Sequence, residues 1–341
     1  MRLRSCDVGV VNKDSWSTFI SEHPHGNVFQ TPEMFEVCSR TRDFVPLFVA
    51  AVDTEDNLLG VMLSVIQRGF GGPLAKLSAR SITWGGPLAV PSLSQDSRAE
   101  IIDYILKKHV LAVRRTALYT EIFNLWDISQ YRDQLAMNGY DYDDHLDVVI
   151  DLKKPESELW KMLHRSKKRR IRQAETLGVC ITEKRSEDSV LGIWECIRET
   201  LRRAGVATAG YTFFESMKEV LVPKGMAWFL EYKFDDRIVG GSIWLAYKGM
   251  VYYFYAGASE TGRLTHASEL GVWYAIRKAQ SLGFEVLNLS GAGKPSERIG
   301  YAEFKKEFGG QITNYGLFKR VLHRYSYAVA RNANRVLSKF I

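Results

Sequence analysis

Long apolar runs are missing from this chain of 341 residues, and none is long enough to cross a bilayer as a helix. Cysteine is scarce. Cys6, Cys38, Cys180 and Cys196 never fall in a Cys-x-x-Cys spacing, so neither a disulfide framework nor a thiolate metal site is expected. The histidines are scattered in the same way, without a His-x-x-x-His or a Cys/His cluster, and no metal is expected. The opening stretch MRLRSCDVGVVNKDSW is basic but has no apolar core, so a cleaved secretion signal is not expected. Reduced thiols without such a signal imply a cytoplasmic protein. Phosphate loops are lacking too. Ser290-Gly291-Ala292-Gly293-Lys294 has no glycine at the Walker distance, Lys294 is followed by Pro295, and the third glycine of a dinucleotide fingerprint is absent.

What is present is basic charge and a doubled pattern of elements. The net charge of +7 and pI near 9.1 permit an anionic partner such as a nucleic acid, a nucleotide-linked sugar or a membrane surface. The length suits two domains. The first half reads as helix, hairpin strands, a helix over Gln95–Val113, and strands over Ala117–Leu125 and His145–Leu152. The order then restarts. A long helix is expected over Pro155–Leu177, strands over Ala227–Phe234, Ile238–Tyr247 and Met250–Ala256, a helix over Ala267–Ser281, a strand over Phe284–Leu289 and a short helix over Tyr301–Phe308. One final strand, Ile312–Lys319, and a basic amphipathic helix over 320–341 close the chain. The fold class is α+β (α/β), with two tandem domains over 1–150 and 151–319 and the terminal helix packing back on the first. Two domains joined by so short a linker are expected to share a cleft.

Three features carry chemistry. Arg165–Arg172, RSKKRRIR, is basic at six of its eight positions, and Lys167 falls on the stripe that also holds Leu163 and Ala174. Lys167 and Arg170 are candidates for a phosphate grip, against the alternative of a solvated basic face. In Tyr301–Phe308, Phe304 and Phe308 share a face with Lys305 and Lys306 beside them. A cation there could stabilise an oxyanion. Tyr255, at the end of an aromatic strand, and Arg298, in the loop before the short helix, are further substrate-binding candidates. No general base stands out. Glu121, Asp127, Glu231, Glu269 and Glu303 are the carboxylates considered, and no Ser-His-Asp or Cys-His set can be read.

Four strings in order, GNVFQTPEM, LWKMLHRSKKRRIRQAETLGV, ASELGVWYAIRKAQSLGFEVLNLSG and GYAEFKKEFGG, cover both halves. Together they resemble the FemABX family of aminoacyltransferases. The resemblance implies two GNAT-like domains, each a mixed sheet flanked by helices. It also implies transfer of an amino acid from aminoacyl-tRNA to an amine of a nucleotide- or lipid-linked cell-wall precursor. In the family a lysine following Phe in the short helix stabilises the reacting oxygens, and Lys305 matches it by position. No bound cofactor is implied, only aminoacyl-tRNA or acyl-CoA as co-substrate. The pyrophosphate pattern R/Q-x-x-G-x-G/A of CoA-dependent GNAT enzymes is not met by Ser259–Ser268. Two alternatives stand beside this reading: a CoA-dependent N-acyltransferase acting on a nucleotide-linked amino sugar, and a non-catalytic RNA-binding module. Residues 321–341 could also touch the inner face of a membrane. Lys305 and Lys167 are expected to face one cleft.

Overall fold

The computed structural model describes residues 4–6, 11–68, 79–183, 187–296 and 300–337. They form two compact units, the first from residues 1–144 with 315–341 and the second from 145–314.

The first unit opens with β1 (Arg4–Cys6), α1 (Lys13–Glu22), α2 (Pro32–Arg40), β2 (Phe44–Val52), β3 (Leu58–Gln67), β4 (Arg80–Trp84) and β5 (Leu88–Ala89). It continues with α3 (Gln95–Val113), β6 (Tyr119–Phe123), α4 (Arg132–Met137) and β7 (Asp141–Asp143). The GNVFQTPEM string builds the entry to α2. Thr31 caps the helix through its side chain on the Met34 N–H, and Pro32 takes the first turn, where its missing N–H costs nothing. Gln30, wholly buried, donates to the Leu63 and Trp84 carbonyls at 3.1 and 2.8 Å and accepts from the Leu63 N–H at 2.8 Å. One amide thus fastens the helix entry to two strands.

The second unit runs β8 (Leu146–Asp151), α5 (Glu156–Met162), α6 (Arg165–Thr176), β9 (Cys180–Glu183), α7 (Glu187–Arg203), α8 (Tyr211–Leu221) and β10 (Ala227–Phe234). Then come β11 (Arg237–Tyr247), β12 (Met250–Ala258), α9 (Glu260–Leu264), α10 (Ala267–Ser281), β13 (Val286–Gly291), α11 (Gly300–Lys306) and β14 (Gln311–Asn314). Its sheet has the order β14-β8-β13-β12-β11-β10-β9. Left-handed Asp235-Asp236 and Lys248-Gly249 turn the β10–β11–β12 meander, as two-residue hairpin loops require. α7 packs on β11 and β12, while α10 packs on β10 and β11 over a core of Leu230, Tyr232, Trp244 and Val272.

The chain ends in the first unit with β15 (Leu317–Val321) and α12 (Arg324–Leu337). The first sheet has the order β1-β2-β3-β4-β6-β15-β7, with β5 on β3. Tyr327 of α12 meets Tyr119 edge-on at 5.2 Å, and the His323 ring bonds the Arg114 carbonyl at 2.6 Å. Residues 338–341 of the expected terminal helix lie outside the described residues. Both sheets mix parallel and antiparallel pairs and are flanked by helices, the expected α+β (α/β) tandem.

Three boundaries differ from the sequence reading. The strand over 146–151, assigned to the first half, pairs with β13 and β14 in the second sheet. The single final strand is two, β14 and β15, one in each sheet, separated at Gly316, whose φ of 70° a strand cannot hold. The long helix over 155–177 breaks at Leu163–His164. His164 takes an extended conformation, its N–H bonds the Glu307 carbonyl at 2.9 Å, and its ring caps α6 on the Ser166 N–H.

Candidate active site

Among the described residues each sheet contains one parallel neighbour pair, and the two behave differently. In the first unit β4 and β6 stay paired from Arg80↔Tyr119 to Trp84↔Phe123, the full length of both strands. In the second, β12 and β13 pair only at Met250↔Val286, Val251↔Leu287 and Tyr252↔Asn288. Beyond these β12 continues to Ala258 while β13 turns toward β8, reaching Gly291↔Asp147 through an irregular register. A gap between parting parallel strands sits at their carboxyl ends, a place where α/β sheets bind ligands.

Lys305 fills that gap. Its Nζ donates to the carbonyls of Ser290 and Gly291 at 3.3 and 2.7 Å and lies 5.9 Å over the ring of Tyr253 on β12. Ser290 itself is left-handed, with φ 59°. An ammonium has three donors, and among the described residues two are used, leaving one for a ligand. Burial pushes the Lys305 pKa down to about 8, with the Asp147 charge pulling the other way. Asp147, on β8, is 5 % exposed and accepts from Asn288 Nδ2 at 3.0 Å; Asn288 Oδ1 in turn accepts from the Ser290 N–H at 2.6 Å. Burial raises the Asp147 pKa, against the Asn288 hydrogen bond and the charges of His145 and Lys305. Asp147, Asn288 and the bent end of β13 therefore hold one lysine at the gap.

The remaining predicted residues fall elsewhere. Lys167 is not a phosphate grip: it is 0 % exposed, its Nζ pairs with Glu269 at 3.3 Å and Glu307 at 3.4 Å, and it lies 3.8 Å over the Phe304 ring. The cation that interrupts the apolar stripe of α6 is neutralised inside the core, and among the described residues its partners, Glu269, Glu307, Phe304 and Phe308, are not those of Lys305, which are Ser290, Gly291, Tyr253 and Tyr301. Arg170 joins the same cluster through Glu269 at 3.3 Å. Lys306 pairs with Glu303 at 3.1 Å. Tyr255 packs against Phe214 of α8 at 5.1 Å, away from Lys305. The cause is a bulge: Ile243 faces Tyr255 and Trp244 faces Tyr253, so Phe254 is extra and the two tyrosines point to opposite sides of the sheet. Tyr253, not Tyr255, therefore reaches the site. Arg298 lies outside the described residues. Of the carboxylates considered, Glu121 pairs with Lys319 at 3.0 Å, and Glu231 accepts from Thr182 at 3.0 Å. Glu269 and Glu303 are engaged as above, and Asp127 caps the Ser129 N–H at 2.9 Å. Asp147 and Asn288 were not singled out from sequence, and the local signal for Asp147 was its place before the apolar run Val148-Val149-Ile150 of the strand LDVVID, whose other acid, Asp151, ends it.

Residues 163–306, within the second unit, match the acetyltransferase (GNAT) domain family. The structure of FemX covers 96 % of this chain and 99 % of its own at 14 % identity, with a TM-score of 0.70. The chain has a FemX-like, tandem GNAT fold. A tandem GNAT protein from the clavulanic acid biosynthesis pathway covers 94 % of this chain and 99 % of its own at 8 % identity and a TM-score of 0.60. The C-terminal domain of a putative lysylphosphatidylglycerol synthetase from Agrobacterium fabrum covers 95 % of each at 11 % identity and a TM-score of 0.55. No curated protein matches the sequence. Among the described residues no helix of this FemX-like chain is long and apolar enough to cross a membrane.

Proposed function

We propose that the chain transfers an aminoacyl group from an activated donor to an amine of a cell-envelope precursor, using the gap at Lys305. The observation that carries this is the placement of Lys305: a half-buried ammonium, held by two carbonyls at parting strand ends, with one donor left for a ligand. The chemistry follows. The neutral acceptor amine attacks the donor's ester carbonyl, negative charge builds on that oxygen, and the bond to the donor's alcohol breaks. The departing alkoxide takes up the proton that the amine gives away. Lys305 would stabilise the developing charge; removing a preorganised donor of this kind costs about 10²–10³ in rate. Asp147 acts as a positioning residue, favouring the charged form of Lys305.

Support for an envelope acceptor comes from the likeness to FemX and to the lysylphosphatidylglycerol synthetase domain. Aminoacyl-tRNA as donor rests on the FemABX resemblance and on the poor match of Ser259–Ser268 to the CoA pattern. The test is transfer of a radiolabelled amino acid from charged tRNA to nucleotide-linked and lipid-linked peptide precursors, with acetyl-CoA as the competing donor. Label in the precursor's amide that is lost in Lys305→Ala supports the reading. Transfer from acetyl-CoA alone, or undiminished transfer by Lys305→Ala, refutes it.

A further inference from the structure

The cations of RSKKRRIR divide into two sets. Lys167 is buried with Ile171 and Ala174 on the inner face of α6. Arg165, Lys168, Arg169 and Arg172 recur at helical spacing on the other side and line an open groove of about 650 Å³ together with Leu264 and His266. Among the described residues no carboxylate lies within ion-pair distance of these four cations. A second groove of about 670 Å³ adjoins the first, and Arg172 lines both. It contains Trp160 and Trp273, whose rings meet at 5.0 Å, and the Arg172 guanidinium lies 5.5 Å over Trp160. Its carboxylates are Glu175 and Glu156, the latter paired with Arg277 at 3.1 Å.

We infer that this double groove binds a nucleotide, phosphates on the α6 cations and base against Trp160. The two halves have the chemistry for it. Four cations without a carboxylate partner, of which Lys168 also donates to the Lys161 carbonyl at 2.8 Å, suit a polyphosphate or phosphodiester, and arginine forks match phosphate oxygens. An indole beside a guanidinium offers a flat stacking surface for any base, while the Glu175 carboxylate repels phosphate from that end and can accept from a base amino group. The groove lies beside the start of α10, whose dipole favours an anion. The α9 turn does not supply the glycine cradle that phosphate loops use. A Cβ on Gly262 would stand 2.1 Å from the Val239 carbonyl oxygen, so that glycine serves the packing of α9 on β11. Side-chain cations from α6 take the place of backbone N–H groups. A nucleotide of this kind could be the end of an RNA, coenzyme A or a nucleotide-linked sugar, and the inference holds whether or not the chain catalyses transfer.

The test titrates the full chain with inorganic pyrophosphate, coenzyme A, UDP-N-acetylglucosamine and a single-stranded oligoribonucleotide, in both wild-type and Lys305→Ala protein. At least one base-containing ligand should bind about tenfold or more tighter than pyrophosphate, equally in both proteins, and the tightest identifies the source. Arg169→Gln with Arg172→Gln should weaken every ligand at least tenfold and flatten its salt dependence. Trp160→Leu should weaken the base-containing ligands about tenfold and leave pyrophosphate unchanged; Trp160→Phe, which keeps a stacking ring, should rescue them and covers the case in which the leucine variant unfolds. Failure of all four ligands to bind overturns the inference. So does equal loss of pyrophosphate in Trp160→Leu, or an effect of the arginine substitutions confined to binding of anionic lipid vesicles.

Discussion

Replacing Lys167 with methionine should unfold the second unit more easily without touching the chemistry. Methionine matches the length and apolar stem of lysine but removes the charge that faces Glu269 at 3.3 Å and Glu307 at 3.4 Å. Those carboxylates are 10 % and 31 % exposed, and Arg170 compensates only Glu269, at 3.3 Å. The contact of Nζ with Phe304 at 3.8 Å is lost as well. Breaking a buried pair on one side costs about 3–5 kcal/mol, because the remaining charge keeps its desolvation penalty. For a unit of this size that corresponds to about 10 °C in Tm. The assay is urea unfolding followed by tryptophan fluorescence. The triple variant Lys167→Met, Glu269→Gln, Glu307→Gln should recover most of the loss, since the charge it leaves without its carboxylate is that of Arg170, which at 38 % exposure is reached by water. Wild-type stability in Lys167→Met, with lost affinity for a phosphate-bearing ligand, would refute the structural role and restore Lys167 as a substrate contact.

Three further outcomes follow from the same contacts. Asp147→Asn removes the charge that favours protonated Lys305; because the required form is the cation, the alkaline limb of the pH–rate profile, set near pH 8 in the wild type, should move to lower pH, and an unmoved limb would show that Asp147 does not act on Lys305. Gln30→Ala leaves the Leu63 N–H and the Leu63 and Trp84 carbonyls without their partner and should destabilise the first unit by about 3 kcal/mol in denaturant titration. On α12, Tyr325 and Val329 are 93 % and 62 % exposed, and residues 322–341 contain Arg324, Arg331, Arg335 and Lys339 without any acid. If that helix touches anionic lipid, Tyr325→Ser with Val329→Ser should abolish sedimentation with phosphatidylglycerol vesicles at unchanged Tm; sedimentation equal to wild type excludes the contact.

How far the residues alone could be read depended on the range of the interaction. The inward placement of Lys305 was legible because its signal is local: Phe304 in α11 and Phe308 just beyond it, four apart, fix which face is inward and leave the lysine beside them. The doubling of the elements was legible for the same reason, from strand alternation and helix caps. Asp147 was not, because its partner Asn288 lies 141 residues away and the pair forms only once β8 crosses into the second sheet. Tyr255 was misplaced because alternation assumes a regular strand, and the extra residue at Phe254 turns the tyrosine around. The charge run of α6 was legible as unusual but not as divided: which of six cations is inward depends on where the helix starts, and His164 sets that start through the distant Glu307 carbonyl.

The most direct measurement is the single-turnover transfer rate across pH for wild type, Lys305→Ala and Lys305→Arg. The alanine variant should lose about 10²–10³ in rate at unchanged Tm. The arginine variant, cationic at every working pH, should retain part of the rate and lose the alkaline fall that begins near pH 8 in the wild type. A folded Lys305→Ala protein that transfers at the wild-type rate, with the same pH profile, would contradict the placement of the reaction at the gap between β12 and β13.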